Sequence, residues 1–237
     1  MNRNILIAYS LKYDGEYFAI LKAIKDKEEI KPISLENCFT IFDDIYPKEL
    51  LNLKYPPLVI YYKGNINLLK EDKIAVVGSR MACDYALKAT THLIMKNIDK
   101  TIVSGLACGI DAKAHEIADK TIGVLGCGID YVYPRSNMYL FNKLKNTGLM
   151  LSEYPNMVKP LAYHFPFRNR IIISLSKTIY IMQSTKKSGT MTSVNEALEL
   201  GKEIKVLPYD IYSEYGVNNN ELILDGASLI TKDEIAF

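Results

Sequence analysis

Several short segments combine glycine with serine, threonine or arginine, which is the chemistry of a phosphate site. Each follows an apolar or β-branched run, and the segments are Gly78-Ser79-Arg80, the stretch 104–109, Gly126-Cys127-Gly128 and Ser188-Gly189-Thr190. Glycine lets the backbone approach a ligand closely, a following helix offers unpaired N–H groups, and Ser or Thr adds a donor. The pattern predicts an anion cradle for phosphates.

A second cluster is the run Phe165-Pro166-Phe167-Arg168-Asn169-Arg170, which directly precedes three isoleucines. The spacing places both arginines at the start of a helix over Arg170–Leu175, where guanidinium groups and the helix dipole attract phosphates. An aromatic face beside them could accept a base by stacking, worth about 1–3 kcal/mol per base. Alternatively, the phenylalanines fill the core and the arginines pair with Glu153 or Asp130. We favour binding for the arginines and leave both roles open for the phenylalanines.

Common catalytic and cofactor motifs are missing from the sequence. The glycines at 126 and 128 lack the third glycine of a dinucleotide fingerprint, and no Gly-Lys-Ser/Thr loop, Gly-x-Ser-x-Gly elbow or His-Glu-x-x-His motif occurs. Ser104, Asp111 and His115 could form a nucleophilic triad. Because the chain has only 3 histidines, coincidence is the better explanation. We predict no catalytic residue, no cofactor and no metal site.

The elements that must position these residues alternate between strand and helix. Predicted strands are Ile74–Val77, Thr101–Val103, Thr121–Leu125, Gly148–Leu151, Thr178–Met182 and Ile204–Leu207. Between them, helical spacing occurs over Tyr85–Met95, Ile110–Ala118, Ser136–Leu144, Arg170–Leu175 and Thr192–Leu200. This alternation predicts an α/β fold with a mostly parallel sheet and helices on both faces. Ligands of such sheets bind outside the carboxyl ends of the strands, where the glycine segments lie.

The two ends of the chain give a weaker pattern. Ile5–Tyr9 reads as a strand, Tyr17–Ile24 as a helix and Leu58–Tyr62 as an edge strand. Near the other end, we expect a short helix at Glu221–Leu224 and a last strand at Ala227–Ile230 within the same domain. We predict two domains, an N-terminal α/β extension over residues 1–55 and the main domain over residues 56–237.

Composition indicates a folded protein with an uneven distribution of charge. The 237 residues are 49% hydrophobic and 24% charged, enough to build a core, and no apolar run is long enough to span a bilayer. The net charge of +2 conceals an uneven distribution. Residues 154–205 carry 8 basic and 3 acidic side chains, whereas the tail over 206–237 carries 1 basic and 6 acidic side chains. A basic segment attracts polyanions. The 4 cysteines lie far apart, so we expect reduced thiols and a cytoplasmic location without membrane association.

From about Tyr46 to Thr231, the sequence resembles the DNA-processing protein A (DprA/Smf) family. The similar motifs are Val76-Val77-Gly78-Ser79-Arg80, Val103-Ser104-Gly105-Leu106-Ala107-x-Gly109-Ile110-Asp111, Gly126-x-Gly128-Ile129-Asp130-x-x-Tyr133-Pro134, Phe165-Pro166-x-Arg168-Asn169-Arg170, Ser188-Gly189-Thr190-x-Thr192 and Asn220-x-Leu222-Ile223-x-Asp225-Gly226-Ala227. The resemblance implies an extended Rossmann-like fold that binds and protects single-stranded DNA and helps load a RecA-type recombinase in natural transformation. It implies no catalysis.

Transferred position by position, the resemblance and the loop pattern together give a set of DNA-binding residues. They are Gly78, Ser79, Arg80, Ser104, Gly105, Gly109, Phe165, Arg168, Asn169, Arg170, Lys187, Ser188, Gly189 and Thr190. A pocket that holds few phosphates is short, so we expect a homodimer whose two pockets share one strand. The pocket would be lined by Arg80, Arg168, Arg170 and Lys187.

The sequence also departs from the family pattern. We expect no C-terminal winged helix, the first 45 residues match poorly, and Gln183-Ser184 and Pro208-Tyr209 replace the family's Glu-Ala and Pro-Gly. An alternative function is a Rossmann-like nucleotide-processing enzyme of the phosphoribohydrolase type. It would use the same phosphate cradle with Asp111, Asp130 or Glu153 as an acid or base.

Overall fold

A single sheet organises the chain in the computed structural model, which describes residues 1–185 and 189–235. Its nine strands in the described residues are β1 Cys38–Thr40, β2 Val59–Gly64, β3 Lys73–Gly78, β4 Thr101–Ser104, β5 Thr121–Val124, β6 Leu149–Ser152, β7 Thr178–Gln183, β8 Glu203–Val206 and β9 Ser228–Leu229. They lie in the order β1-β2-β6-β5-β4-β3-β7-β8-β9. The pairs β1–β2 and β2–β6 are antiparallel, and the other pairs are parallel. The predicted mostly parallel sheet is confirmed.

Helices cover both faces of this sheet. They are α1 Arg3–Lys12, α2 Tyr17–Lys25, α3 Asp84–Lys96, α4 Ile110–Ile117, α5 Met138–Thr147, α6 His164–Leu175, α7 Thr190–Glu199, α8 Val217–Leu224 and α9 Lys232–Ile235. Successive side chains of a strand point to opposite faces of the sheet, so alternate residues of β3 pack against the helices on one face or the other. Ala75 and Val77 share a core with α6 and α7, whereas Ile74 and Val76 pack with α3 and α4. The Rossmann-like α/β class is confirmed.

The strand order places a crevice beside β3. The chain moves from β3 outward through β4, β5 and β6, and then returns to place β7 on the other side of β3. The two strands are parallel, with Val77 opposite Ile181 near their carboxyl ends. Loops that leave such neighbouring strands in opposite directions open a crevice at the carboxyl edge, which is the usual ligand position in this architecture.

The prediction of a strand at Ile5–Tyr9 is wrong, because these residues lie within α1. The side chain of Asn2 accepts a hydrogen bond from the backbone N–H of Ile5 at 3.1 Å and so caps the helix. Residues 6–10 are buried in succession, so the segment has neither strand nor helix periodicity. A short apolar run of this kind does not distinguish the two structures, whereas an N-cap asparagine before it is a signal for the start of a helix.

The segment Leu58–Tyr62 forms a strand as predicted, but not at the edge of the sheet. Strand β2 lies between β6 and the three-residue strand β1, which pairs Phe39 with Ile60. The predicted domain boundary near residue 56 stays a prediction, although β1 and β2 pair across it. Tyr46 also crosses it, since its hydroxyl donates to the carbonyl of Pro57 at 2.9 Å. Within residues 1–185 and 189–235, no helix has the length and apolar character needed to cross a membrane.

Candidate nucleic-acid interface

A cavity of about 580 Å³ opens in the crevice beside β3. The loop after β3, the first half of α6 and the start of α7 form its walls. Eight of the predicted DNA-binding residues line it, namely Gly78, Ser79, Arg80, Phe165, Arg168, Asn169, Gly189 and Thr190. Segments distant in the sequence therefore converge at the carboxyl edge of the sheet, as the positions of the glycine loops predicted.

Arg80 provides an exposed positive charge at this cavity. Its guanidinium carbon lies 5.4 Å from the centre of the Phe165 ring. No carboxylate of the described residues is within ion-pair distance of the Arg80 guanidinium. An arginine that faces solvent over an aromatic ring and has no counter-ion can donate to a phosphate without first breaking an ion pair.

The loop that carries Arg80 is held by the neighbouring β4–α4 loop. The amide of Ile110 donates to the carbonyl of Ser79 at 3.1 Å. Gly109 adopts a φ of +74°, and a Cβ atom there would lie 2.2 Å from the same carbonyl oxygen. The sequence pattern assigned such glycines to close approach by a ligand. At Gly109 the close approach is instead by the protein's own backbone, which fixes the loop below Arg80.

Arg168 lies in the floor of the cavity rather than at the start of the helix. Helix α6 begins at His164, earlier than predicted, so both arginines fall in its second turn. Only 4% of Arg168 is exposed, and its Nη1 donates to the carbonyl oxygens of Gly105, at 2.8 Å, and Val124. Its Nε has no hydrogen-bond partner in the described residues. Burial lowers the pKa of the Arg168 guanidinium to about 10, so it is still charged at neutral pH.

A layer of buried polar groups supports the Arg168 side chain and the β4–α4 loop. The Oδ2 of Asp111 accepts from the amides of Gly105, at 3.2 Å, and Ala107, at 3.4 Å. Burial raises the pKa of the Asp111 carboxyl, while the nearby Arg168 opposes that shift. A Cβ atom at Gly105 would lie 2.5 Å from Nη2 of Arg168 and 2.7 Å from this carboxylate, so a larger residue would have to displace these buried groups. The glycine thus allows the arginine and carboxylate to approach the loop.

Ser104, Asp111 and His115 do not form a catalytic triad. The Ser104 hydroxyl donates to the carbonyl of Val76 at 2.7 Å and is buried, so the prediction that Ser104 contacts DNA is not supported. Nε2 of His115 accepts from the amide of Leu106 at 3.3 Å, and its Nδ1 lies 2.6 Å from the Thr121 hydroxyl. Burial lowers the pKa of His115 to about 3. These groups hold the backbone of the loop.

Arg170 faces away from the cavity, contrary to the predicted pocket lining. Its guanidinium forms a bidentate pair with Glu153, at 2.6 and 2.7 Å, and both side chains are only 5% exposed. Its Nε donates to the carbonyl of Tyr55 at 2.9 Å, and its guanidinium carbon lies 3.7 Å from the centre of the Phe167 ring. Residues two apart on a helix point to different sides, so Arg168 and Arg170 cannot share one pocket. The pairing with Glu153 was the alternative that we did not favour.

The two phenylalanines of α6 separate in the same way. Phe167 packs in an aromatic cluster with Tyr17, Phe18 and Tyr55, with ring centres 6.0 to 6.3 Å from its own. This cluster joins α6 to α2 and the segment before β2. Phe165 is half-buried at the cavity and lies 5.5 Å from the ring of Tyr133. Core packing therefore describes Phe167, whereas Phe165 lines the cavity.

The remaining residues singled out from the sequence do not all lie at the cavity. Gly189 is exposed at the start of α7, and its carbonyl accepts from Nδ2 of Asn169 at 3.3 Å. Lys187 and Ser188 lie outside the described residues. Asp130 forms an ion pair with Lys63 and does not orient an arginine.

Sequence reasoning missed two asparagines that support the cavity. Nδ2 of Asn137 donates to the carbonyls of Leu106, at 3.0 Å, and Ala107, at 3.1 Å, and thereby ties the start of α5 to the β4–α4 loop. Asn219 is fully buried, and its Oδ1 accepts from the amide of Ser184, just beyond β7, at 2.8 Å. Asn219 belongs to a run of three asparagines that reads as a loop, and only its tertiary neighbours reveal its role.

Comparison with known proteins agrees with this architecture. The chain is 38% identical over 224 residues to the DNA processing protein DprA of Streptococcus pneumoniae, covering 92% of this chain and 78% of that protein. The X-ray structure of the Streptococcus pneumoniae protein superposes with a TM-score of 0.80 and 33% identity, over 97% of this chain and 90% of that one. The structure of DNA processing protein A of Helicobacter pylori, described as showing a unique single-stranded DNA binding mode, superposes with a TM-score of 0.74 and 34% sequence identity. This match covers 81% of this chain and 90% of that one.

The sequence profile of one family matches most of the chain, over residues 37–236. This match includes every segment that forms the cavity. The chain belongs to the family of DNA recombination-mediator protein A, to which the DprA and Smf proteins belong.

Proposed function

We propose that the cavity beside β3 binds single-stranded DNA and that the protein acts in DNA processing during transformation. The observation that carries the proposal is the pairing of two cations at one cavity. Arg80 is exposed over Phe165 and has no counter-ion within residues 1–185 and 189–235, and within the same residues Nε of the buried Arg168 has no hydrogen-bond partner. Gly189, Thr190 and the loop Gly78-Ser79 complete the walls. Lys187 and Ser188, next to Gly189 in the sequence, belong to the proposed site.

An unpaired strand fits this site better than a duplex. The cavity is a recess between loops, whereas a duplex is a stiff rod that reaches only exposed surfaces. A single strand can bend, so one phosphate can enter beside Arg80 while its base stacks on the half-buried Phe165. The single-stranded DNA binding of the Helicobacter pylori relative supports the same ligand for this chain.

The test is the Arg80→Ala variant in fluorescence anisotropy with labelled oligonucleotides over a range of salt concentrations. Loss of one phosphate contact weakens binding to all sequences and lowers the log–log salt slope by about 0.7. The matched control is Lys70→Ala, which removes an exposed cation before the amino end of β3, at the opposite edge of the sheet. An Arg80→Ala variant with the affinity and slope of the wild type would show that the cavity is not the DNA site.

We propose that the protein is not an enzyme. Each carboxylate that could act at the loop ends already has partners. Asp111 accepts from two backbone amides, Asp130 pairs with Lys63 and Glu153 pairs with Arg170. A phosphoribohydrolase needs a carboxylate free to transfer a proton in the cavity. Incubation with nucleoside monophosphates tests this, because steady release of free base would contradict it.

We also propose a homodimer that shares one strand between two cavities and helps load a RecA-type recombinase in the cytosol. Large apolar side chains are exposed before α8, at Ile211 and Tyr212, and at its last residue, Leu224, and we propose that they contribute to the contact between subunits. Light scattering of wild type and Leu224→Glu tests the dimer, and a monomeric wild type would contradict it. The free thiols of all four cysteines are consistent with a reducing compartment.

A further inference from the structure

We propose that the DNA strand continues from the cavity over a surface formed by Tyr133, Arg135 and Tyr139, which we call the tyrosine track. Bases stack on the two tyrosines, and Arg135 contacts a phosphate between them. The inference rests on the proposed function, because it extends the same binding site. It assigns DNA contacts to the segment between β5 and α5, which the loop pattern did not include.

The track begins at the wall of the cavity. A smaller recess of about 100 Å³ is lined by Arg80 and Phe165 together with Tyr133 and Pro134. Arg80 and Phe165 therefore line both spaces. The rings of Tyr133 and Phe165 have centres 5.5 Å apart at an interplanar angle of 40°. A strand whose base lies against Phe165 meets Tyr133 as its nearest further aromatic surface on this side.

The track is fixed to the same loop that forms the cavity. Asn137, in the middle of the segment, is buried and donates to the carbonyls of Leu106 and Ala107. Ala107 lines both the main cavity and the smaller recess. Nearby, Oγ of Ser136 lies 3.7 Å from Sγ of Cys108. The segment thus holds its position relative to the cavity, so a strand that binds both gains affinity without ordering a flexible loop.

The exposed groups of the track suit an unpaired strand. Tyr133 is 41% and Tyr139 54% exposed, so both rings can accept a base. Arg135 is exposed and has no ion pair or hydrogen bond from its side chain within residues 1–185 and 189–235. Lys113, which lies near Tyr139, is paired with Glu116 at 2.7 Å. Aromatic rings interspersed with unpaired cations are the usual surface for single strands, and stacking tolerates any base.

The experiment measures affinity for oligothymidylates of increasing length. We expect Tyr139→Ala to bind the shortest oligonucleotides as the wild type does and to lose about tenfold in affinity for long ones, which corresponds to one stacked base. Tyr139→Phe is the matched control, because it keeps the ring and should keep the affinity. Arg135→Ala should lower the salt slope by about 0.7 for long oligonucleotides only. Tyr139 and Arg135 are exposed, so thermal unfolding should not change.

The length dependence separates this inference from the proposed function. Arg80→Ala should weaken binding at every length, and if it does not, the cavity itself is not the DNA site. If Arg80→Ala weakens binding while Tyr139→Ala and Arg135→Ala bind long oligonucleotides like the wild type, the track is wrong. Unchanged DNA affinity of these variants together with a defect in recombinase loading would assign the surface to a protein partner and would also overturn the inference.

Discussion

The rim of the cavity and the polar layer beneath it contain similar residue types in opposite environments. On the rim, Arg80 and Gly189 are exposed, and the side chain of Arg80 lacks a counter-ion in the described residues. In the layer beneath, Arg168, Asp111 and His115 are buried and bonded to backbone groups of the loops. The environment and not the residue type therefore decides which group is available to a ligand.

The difference predicts two classes of variant. Changes in the buried layer remove hydrogen bonds or ion pairs that are shielded from water, so they should lower the free energy of unfolding. Changes on the rim remove groups that have few contacts in the protein, so they should lower DNA affinity at constant stability. Arg170, which the sequence pattern grouped with the rim, belongs with the buried layer, because its partner Glu153 is buried with it.

The largest expected effect is on the buried ion pair. Glu153→Gln leaves the Arg170 guanidinium buried without a counter-charge, and breaking such a pair costs about 3–5 kcal/mol. We expect this loss in the free energy of unfolding, measured by urea denaturation. The affinity of the folded protein for single-stranded DNA should not change.

The control for the ion pair is the double variant Glu153→Leu with Arg170→Met, which removes both charges and should be less destabilised than Glu153→Gln. A Glu153→Gln variant of normal stability whose DNA salt slope differs from that of the wild type would contradict the comparison. It would return Arg170 to the DNA-binding residues.

The next effect is a dependence of stability on pH through His115. Its pKa is about 3 in the folded protein and about 6.5 in the unfolded chain, so the neutral ring is favoured by folding. The contribution is complete above pH 6.5 and is lost as the pH falls toward 3. By pH 5 the free energy of unfolding should have fallen by about 2 kcal/mol through this one group.

Urea denaturation at a series of pH values measures this loss. His115→Gln keeps an acceptor for the Leu106 amide and should show a smaller decrease between pH 7 and pH 5. Equal pH dependence of the two proteins would mean that His115 is not buried as a neutral ring.

Local sequence patterns predicted the parallel part of the fold well. Strands β3 to β8 and helices α3 to α5 and α7 lie within a few residues of their predicted ranges, because short apolar or β-branched runs alternate there with stretches of helical spacing. At the N-terminal end the patterns were ambiguous, since the apolar run at Leu6–Tyr9 fits a buried strand as well as a buried helix. The three-residue strand β1 is too short to leave a periodic signal.

The site was predictable only in part, because the sequence does not show the partners of a charged residue. Arg168 and Arg170 look equivalent, yet one meets carbonyl groups at the cavity and the other meets Glu153 on the opposite side of α6. Distinguishing them needed the true start of α6 and the position of Glu153 after β6. The glycines were correctly placed at strand ends, but at Gly105 and Gly109 the close approach is by protein atoms.

The smallest expected effect comes from comparing alanine substitutions at two glycines, Gly189 on the rim and Gly105 in the buried layer. Gly189 has helical backbone angles, and a Cβ atom there would meet no atom of the described residues within 4 Å. We expect Gly189→Ala to unfold within about 0.5 kcal/mol of the wild type. If a phosphate approaches this backbone, the added methyl group should weaken single-stranded DNA binding about tenfold, or about 1.4 kcal/mol. Gly105→Ala, whose Cβ would collide with Arg168 and Asp111, should lose stability. Full DNA affinity of Gly189→Ala would mean that the strand does not reach the start of α7.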